Sequence, residues 1–233
     1  MLGPVDYLMP AFGFLAEVLA VVFLLRRGLA GRYFTLFLYL VTTFALGIAR
    51  FLILFRFGLT SSEYIYFYYY SDTLLTICLF FALMGLYSPV FQEMGAHKYL
   101  RAGAVLLLAG TSWFSYQVVQ HASDKMISRF VVELSQNLYF VGIVLTSLLW
   151  GAVVKLRATR AQLIHLVLGL GVYFSAFAAN YALRNLYPQF SVVWMYVPPL
   201  MAIWLPASWA FTFWRIPEEA RLAPSRVAVA HHR

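Results

Sequence analysis

The chain has 233 residues, of which 63% are hydrophobic and 11% are charged, whereas a typical soluble domain has roughly 25% charged residues. This composition and a mean hydropathy of +0.78 exclude an ordinary water-soluble fold. A single cysteine, Cys78, excludes an intrachain disulfide. The formal net charge is +8, and the positions of the basic residues along the chain indicate its origin.

Seven apolar runs are long enough to cross a hydrocarbon layer, which takes about 20 residues in a helix. In chain order they cover residues 5–25, 33–54, 64–87, 101–121, 130–154, 162–183 and 192–214. Because lipid offers the backbone no hydrogen-bond partner, each run is predicted to be a helix. The sequence therefore predicts an all-α polytopic membrane protein, with one seven-helix transmembrane bundle over residues 1–214 and a short basic tail over residues 215–233.

The basic residues are unequally divided between the two ends of such a bundle. Of the 17 Lys and Arg residues, Arg50 lies within a helix, and Arg56, Lys125, Arg129 and Arg184 lie at one end. The other twelve lie at the opposite end, which the positive-inside rule assigns to the cytoplasm. We therefore expect the N-terminus outside and the C-terminus in the cytoplasm of a bacterial cell. The charge reflects topology and a lipid bilayer as partner, and it indicates no nucleic acid.

The third predicted helix begins with EYIYFYYYSDTLL, residues 63–75, in which five tyrosines precede Asp72. Tyrosine is typical of the membrane interface, where its ring meets lipid and its hydroxyl meets water. Five tyrosines within two turns point all around a helix, so some of them face the bundle. Asp72 lies about 12 Å further along the helix than Tyr64. At that depth a lone carboxylate is costly.

Arg50 is the candidate partner of Asp72, because it lies near the outer end of the preceding, antiparallel helix. We predict an ion pair between these two residues beneath a lid of tyrosines. In the alternative, Arg50 extends to the interface, while Asp72 is protonated or hydrogen-bonded to tyrosine hydroxyls.

Further polar residues fall in the same outer half of the bundle. FVVELSQNLYF places Glu133 and Asn137 on one helix face, and FAANYALRNLYP does the same for Asn180 and Arg184. If these faces point inward, they line an outward-opening polar and aromatic pocket. The candidate ligand-binding residues are Arg50, Tyr68, Tyr69, Asp72, Thr76, Glu133, Asn137, Asn180 and Arg184. The alternative for each is a hydrogen bond that joins two helices.

Glu17 lies near the middle of the first predicted helix and is a candidate proton site. Two interpretations stay open. It is either a proton-relay carboxylate or a protonated acid bonded to a hydroxyl of the second helix, such as Thr42 or Thr43.

Cofactors and catalytic motifs are not indicated. The three lysines, Lys98, Lys125 and Lys155, lie in predicted loops or at helix ends, which excludes a retinal Schiff base in the last helix. No HExxH, GxSxG or Walker A motif is present, and no two histidines have the spacing of metal ligands. We expect no enzymatic activity, no metal and no cofactor, although lipid or pigment binding stays open.

The run YIYFYYYSDTLLTICLFFALMGLYSPVFQEMGAHKYLR resembles a group of uncharacterised bacterial seven-helix integral membrane proteins. GLGVYFSAFAANYALRNLYP with a following IW is similar to the same group. The resemblance spans the second to seventh helices and implies the fold, with Asp72 as a typical acidic position. It implies no activity. A looser similarity links the bundle to the seven-helix input regions of bacterial sensor kinases, from which this sequence departs by having no output domain.

Three functions are compatible with this pattern. The first is a sensor-like or small-molecule- or lipid-binding bundle without enzymatic activity. The second is an accessory or scaffold subunit of a larger membrane complex. The third is a small proton-linked transporter that uses Glu17 and Asp72. The cytoplasmic tail is a candidate docking site for a protein partner in the first two cases.

Overall fold

The computed structural model describes residues 4–58, 61–93, 97–120, 126–155, 161–187, 189 and 191–217, and this part of the chain is all-α. Its seven helices are α1 (Pro4–Arg26), α2 (Phe34–Phe57), α3 (Ser62–Glu93), α4 (His97–Val119), α5 (Met126–Lys155), α6 (Ala161–Leu186) and α7 (Ser191–Arg215). The predicted number and order of helices are confirmed. Most of the basic tail, from residue 218 onward, lies outside the described residues, as does any partner site on it.

Six of the described helices contain a segment long and apolar enough to cross a membrane. These segments are Leu8–Arg26, Phe34–Phe57, Ser62–Ser88, Ala102–Val119, Arg129–Ala152 and Ala161–Arg184. The seventh helix, α7, has 25 residues but contains three prolines and is not among them. The structure thus has the character of a membrane protein.

Six helices form a closed ring in the order α1, α2, α3, α5, α6, α7 and back to α1. Within the ring α3 also touches α6. The remaining helix, α4, lies outside the ring against α3 and α5. Its apolar side chains are correspondingly exposed, as shown by Leu106 at 71% and Trp113 at 65%. Such a surface suits lipid, which solvates apolar side chains where water does not.

The turn after α1 joins three helices at one end of the bundle. Gly28 has a φ of +66°, and its N–H donates to Leu25 while the next N–H, of Leu29, donates to Leu24. This is a Schellman motif, in which glycine adopts the left-handed conformation at low cost. Arg27 Nη2 then donates to the carbonyl of Trp214, 2.5 Å away, at the last turn of α7. A cation at this position offsets the partial negative charge of the helix end.

The half of the bundle at this end is closed by large apolar side chains. Leu24, Leu36, Leu83, Trp209 and Phe213 are fully buried and come from α1, α2, α3 and α7. The indole N–H of Trp209 donates to the carbonyl of Leu166 on α6 at 3.4 Å, so the largest side chain of this core also has a polar partner.

Hydroxyl groups join α3 to α5 along the other half. Thr73 Oγ1 lies 2.8 Å from Ser135 Oγ and 3.0 Å from the carbonyl oxygen of Val131. One turn further along α3, Thr76 Oγ1 lies 3.1 Å from Tyr139 Oη. All four side-chain hydroxyls belong to buried residues, so the bonds are protected from competing water.

We expect Thr73→Val, which keeps the shape of the side chain, to lower the free energy of unfolding by about 1 kcal/mol, because two helices lose their shared hydrogen bonds. Unfolding in mixed detergent micelles, followed by circular dichroism, measures the loss. The matched control is Thr42→Val, since the Thr42 hydroxyl donates to Leu38 within the same helix, α2, at 2.8 Å. Equal losses for the two variants would contradict an interhelical role for Thr73.

Candidate functional site

A cavity of about 500 Å³ lies inside the ring between α1, α2, α3, α6 and α7. Its walls come from residues 9–17 of α1, residues 39–54 of α2, the first half of α3, the middle of α6 and the proline segment of α7. Since consecutive helices alternate in direction, the cavity extends from the middle of the bundle toward the end opposite the contact between Arg27 and α7. Most lining side chains are apolar or aromatic, and the acidic or basic ones are Glu17, Arg50 and Asp72. A few polar groups within aromatic walls are the usual character of a small-molecule site.

Arg50 is held against one face of α3. Its Nε donates to Ser71 Oγ at 2.7 Å, and its Nη2 donates to the carbonyl of Tyr68 at 3.3 Å. The guanidinium carbon lies 4.5 Å from the centre of the Tyr68 ring. Nη2 lies 4.0 Å from Asp72 Oδ1, the outer limit of an ion pair. Residues 68, 71 and 72 share a helix face, so one guanidinium can reach all three. The predicted pairing of Arg50 with Asp72 is confirmed.

The tyrosines at the start of α3 divide into two groups. Tyr64 and Tyr68 line the cavity, with their ring centres 6.3 Å apart. Tyr66, Tyr69 and Tyr70 are 42–44% exposed on the outer surface of the helix. The candidate pocket residue Tyr69 therefore contacts the edge of Tyr68 from outside the cavity. The prediction that some of the tyrosines face the bundle is confirmed, and Tyr68 is the one beside the ion pair.

Glu17 faces the same cavity as the Arg50–Asp72 pair, although it lies on a different helix. Its side chain is only 6% exposed, and Oε2 has no hydrogen-bond partner among the described residues. The two predicted partners donate within α2 instead, Thr42 to Leu38 at 2.8 Å and Thr43 to Tyr39 at 2.9 Å. Neither hydroxyl donates to Glu17, so the predicted bond to α2 is not formed.

The cavity has an aromatic wall whose residues were not among the predicted site residues. Tyr173 and Phe177 on α6 line it, with ring centres 4.7 Å apart, and Tyr39 on α2 completes it. Behind this wall, Tyr139 stacks on Phe177 at 4.6 Å. The sequence contained one signal, because Tyr39, Thr43, Gly47 and Arg50 recur at helical spacing and so share a face of α2.

The prolines of α7 form the side of the cavity opposite α3. Pro198, Pro199 and Pro206 all line it and all lie inside the continuous helix Ser191–Arg215. A proline removes one N–H from the helix ladder and leaves a carbonyl group without its usual partner. The cavity wall therefore contains backbone that is less tightly bonded than in an ordinary helix.

Two candidate pocket residues belong to a different interface. Asn137 Nδ2 donates to Ser115 Oγ on α4 at 3.0 Å and to Glu133 Oε1 at 3.4 Å. Since α4 lies outside the ring, Glu133 and Asn137 connect α5 to α4 and do not line the cavity between α1, α2, α3, α6 and α7. Glu133 and Asn137 do share one face of α5, as predicted, but that face meets α4 and not the cavity.

The three remaining candidates also lie away from the cavity lining. Thr76 is buried and bonds across to Tyr139, at the α3–α5 contact. Asn180 is 7% exposed, and its Oδ1 has no partner among the described residues. Arg184, one turn further, is exposed. Of the predicted pocket, the structure therefore brings Arg50, Tyr68 and Asp72 together and adds Glu17 to them.

The cavity can hold a molecule with an apolar body and a polar or charged group. In the described part of the chain, no three His, Cys, Asp or Glu side chains are grouped to hold a metal ion. Compared with protein-family models, with curated proteins and with solved structures, the chain matches none. Its resemblance to bacterial seven-helix membrane proteins therefore stays a prediction from the sequence.

Proposed function

We propose that this chain is a non-enzymatic, sensor-like protein that binds a small molecule in the cavity between α1, α2, α3, α6 and α7. The observation that carries the proposal is the meeting of Glu17, Arg50 and Asp72 on aromatic walls. Charged side chains within a membrane-spanning region are costly and usually serve a site. A volume of about 500 Å³ is within the range of small-molecule pockets.

In the proposed topology, the protein lies in the bacterial cytoplasmic membrane. All seven helices cross the bilayer, the N-terminus is outside and the cavity opens toward the outer side. The position of α7 supports its crossing, because it packs between α1 and α6, both of which contain candidate spans. A helix of 25 residues is about 37 Å long, which is sufficient to span. The uneven distribution of Lys and Arg supports the direction.

The packing of the opposite half favours binding over transport. Leu24, Leu36, Leu83, Trp209 and Phe213 have no exposed surface and fill the ring beyond the cavity. A transported molecule would have to pass this layer, and such close-packed side chains leave no room for it without a rearrangement.

Filling the cavity tests the proposal. An added Cβ at Gly13, which lines the cavity, would find only Ile203 Cγ1 within 4 Å, at 3.9 Å. The position therefore has room for a Cβ, and leucine adds side-chain volume at the cavity wall. We expect native mass spectrometry of gently extracted protein to show a bound small molecule on the wild type, and Gly13→Leu to carry less than about a tenth of it.

The matched control is Gly13→Ala, which adds one methyl group in ordinary contact and should retain the bound molecule. Circular dichroism and thermal unfolding verify that both variants are folded. If Gly13→Leu retains the same bound masses in the same amounts as the wild type, the cavity is not the binding site.

A further inference from the structure

We infer that the ligand of this cavity is an organic cation, a lipophilic amine or quaternary ammonium group that lies between the Glu17 carboxylate and the surrounding aromatic rings. The inference rests on the proposed function, because it names the ligand class of the same cavity. Three features of the cavity support it: the charges in the lining, the aromatic walls and the size.

The charges that line the cavity are unequal. Arg50 is the basic residue among them, and its contacts are with Ser71, Tyr68 and Asp72 on α3. The lining therefore contains two carboxyl groups, on Asp72 and Glu17, and one cation, Arg50, so it has one carboxyl group more than it has positive charges. Glu17 Oε2 is buried and has no hydrogen-bond partner among the described residues. A buried carboxyl group is stable as an anion only beside a positive charge.

The aromatic walls favour the same kind of ligand. Phe14, Tyr39, Tyr68, Tyr173 and Phe177 contribute rings to the lining. The face of an aromatic ring is negative and attracts a cation within about 6 Å, and clusters of such rings recognise quaternary ammonium groups. One such contact is already present, because the guanidinium carbon of Arg50 lies 4.5 Å from the centre of the Tyr68 ring.

The size and apolar character of the cavity distinguish an organic cation from a metal ion. Hard inorganic cations take six or more oxygen ligands, whereas this lining offers few oxygens and many carbon atoms. Among described residues there is also no group of three metal-binding side chains. A volume of about 500 Å³ has room for a charged head and an apolar body together.

Three probes of nearly the same shape isolate the contribution of charge. They are benzyltrimethylammonium, its neutral isostere neopentylbenzene and the anion benzylsulfonate. Equilibrium dialysis against the full chain in nonionic maltoside micelles measures the dissociation constant of each. We expect the cation to bind at least about tenfold more tightly than the neutral isostere, and the anion to bind most weakly. Equal binding of cation and isostere, or no measurable binding of the cation, would overturn the inference.

Glu17→Gln keeps the shape of the side chain and removes its charge, and we expect it to abolish the preference for the cation. The control is Glu133→Gln, the same change at a carboxylate that hydrogen-bonds Asn137 at 3.4 Å on the α5 side facing α4. It should keep the preference. A preference that survives Glu17→Gln overturns the inference, and the wild-type comparison of the probes decides the question even if this variant does not fold.

The cavity-filling variant separates this inference from the proposed function. If Gly13→Leu abolishes binding of all probes but the wild type binds cation and isostere equally, the cavity is a binding site and the cation assignment is wrong. If Gly13→Leu changes the binding of no probe, the cavity is not the site and both proposals fail.

Added lipid identifies the source of the cation. Competition by phosphatidylethanolamine, with none by phosphatidylglycerol, assigns the ammonium group to a lipid headgroup. Unchanged binding in both assigns it to a soluble amine. Either result supports the inference, whereas displacement of the cation by phosphatidylglycerol alone contradicts it.

Discussion

Replacing Arg50 by leucine should lower the free energy of unfolding by about 3 kcal/mol, since it leaves the Asp72 carboxylate partly buried without its cation. Asp72 is 21% exposed at the side chain and Arg50 is 20% exposed, so solvent compensates for only part of the loss. The substitution also removes the hydrogen bonds to Ser71 and Tyr68. Unfolding in mixed micelles, followed by circular dichroism, gives the difference from the wild type.

A double-mutant cycle separates the ion pair from the other contacts of Arg50. In an Asp72→Leu background, Arg50→Leu should cost at least about 1 kcal/mol less, because no carboxylate is then left unpaired. Arg56→Leu is the matched control on the same helix, since Arg56 is exposed near the end of α2, and we expect a change within about 0.5 kcal/mol. Equal costs of Arg50→Leu in both backgrounds would show that the 4.0 Å pair contributes nothing.

Gly142→Ala should lower the free energy of unfolding by about 1–3 kcal/mol, because it adds an atom where α5 lies directly against a side chain of α6. A Cβ at Gly142 on α5 would lie 2.5 Å from two ring carbons of Phe174 on α6. That ring is 1% exposed and stands within the aromatic cluster around Tyr139, so it has no free space into which to move. Either the helices separate or the ring leaves its preferred rotamer.

Gly110→Ala on α4 is the matched control, since an added Cβ there meets nothing within 4 Å. Alanine favours a helix over glycine by up to about 1 kcal/mol, so this variant should be neutral or slightly more stable. Thermal unfolding of both proteins in the same micelles gives the comparison. If the two substitutions have the same effect, close contact between α5 and α6 does not stabilise the bundle.

The site residues that were predicted correctly lie on helices that are consecutive in the chain. Arg50 and Asp72 belong to consecutive helices, and a short connection makes such helices antiparallel and adjacent. Their depths could therefore be compared by counting residues from the helix ends. Tyr68 shares a helix face with Asp72 and therefore lies beside the same guanidinium group.

The residues that were misplaced depend on which neighbouring helix a given helix face meets. Helical periodicity correctly placed Glu133 and Asn137 on one face of α5, but it does not say which helix that face meets. The ring order places α4 outside, so this face bonds Ser115 on α4. Tyr173 and Phe177 line the cavity because α6 closes the ring beside α7 and faces α3. No local pattern carries that information.

The sequence by itself determined the class of this protein and its seven helices. Both follow from the length of the apolar runs and from the need of the backbone to bond within each helix in lipid. The tertiary structure decided which helices are neighbours, and therefore that Glu17 on α1 meets the Arg50–Asp72 pair at one cavity. The physical reason is that apolar helices have no strong preference for one another in lipid. Their order in the bundle is decided by close fits such as Gly142 on Phe174 and by a few hydrogen bonds, which act only between surfaces already in contact.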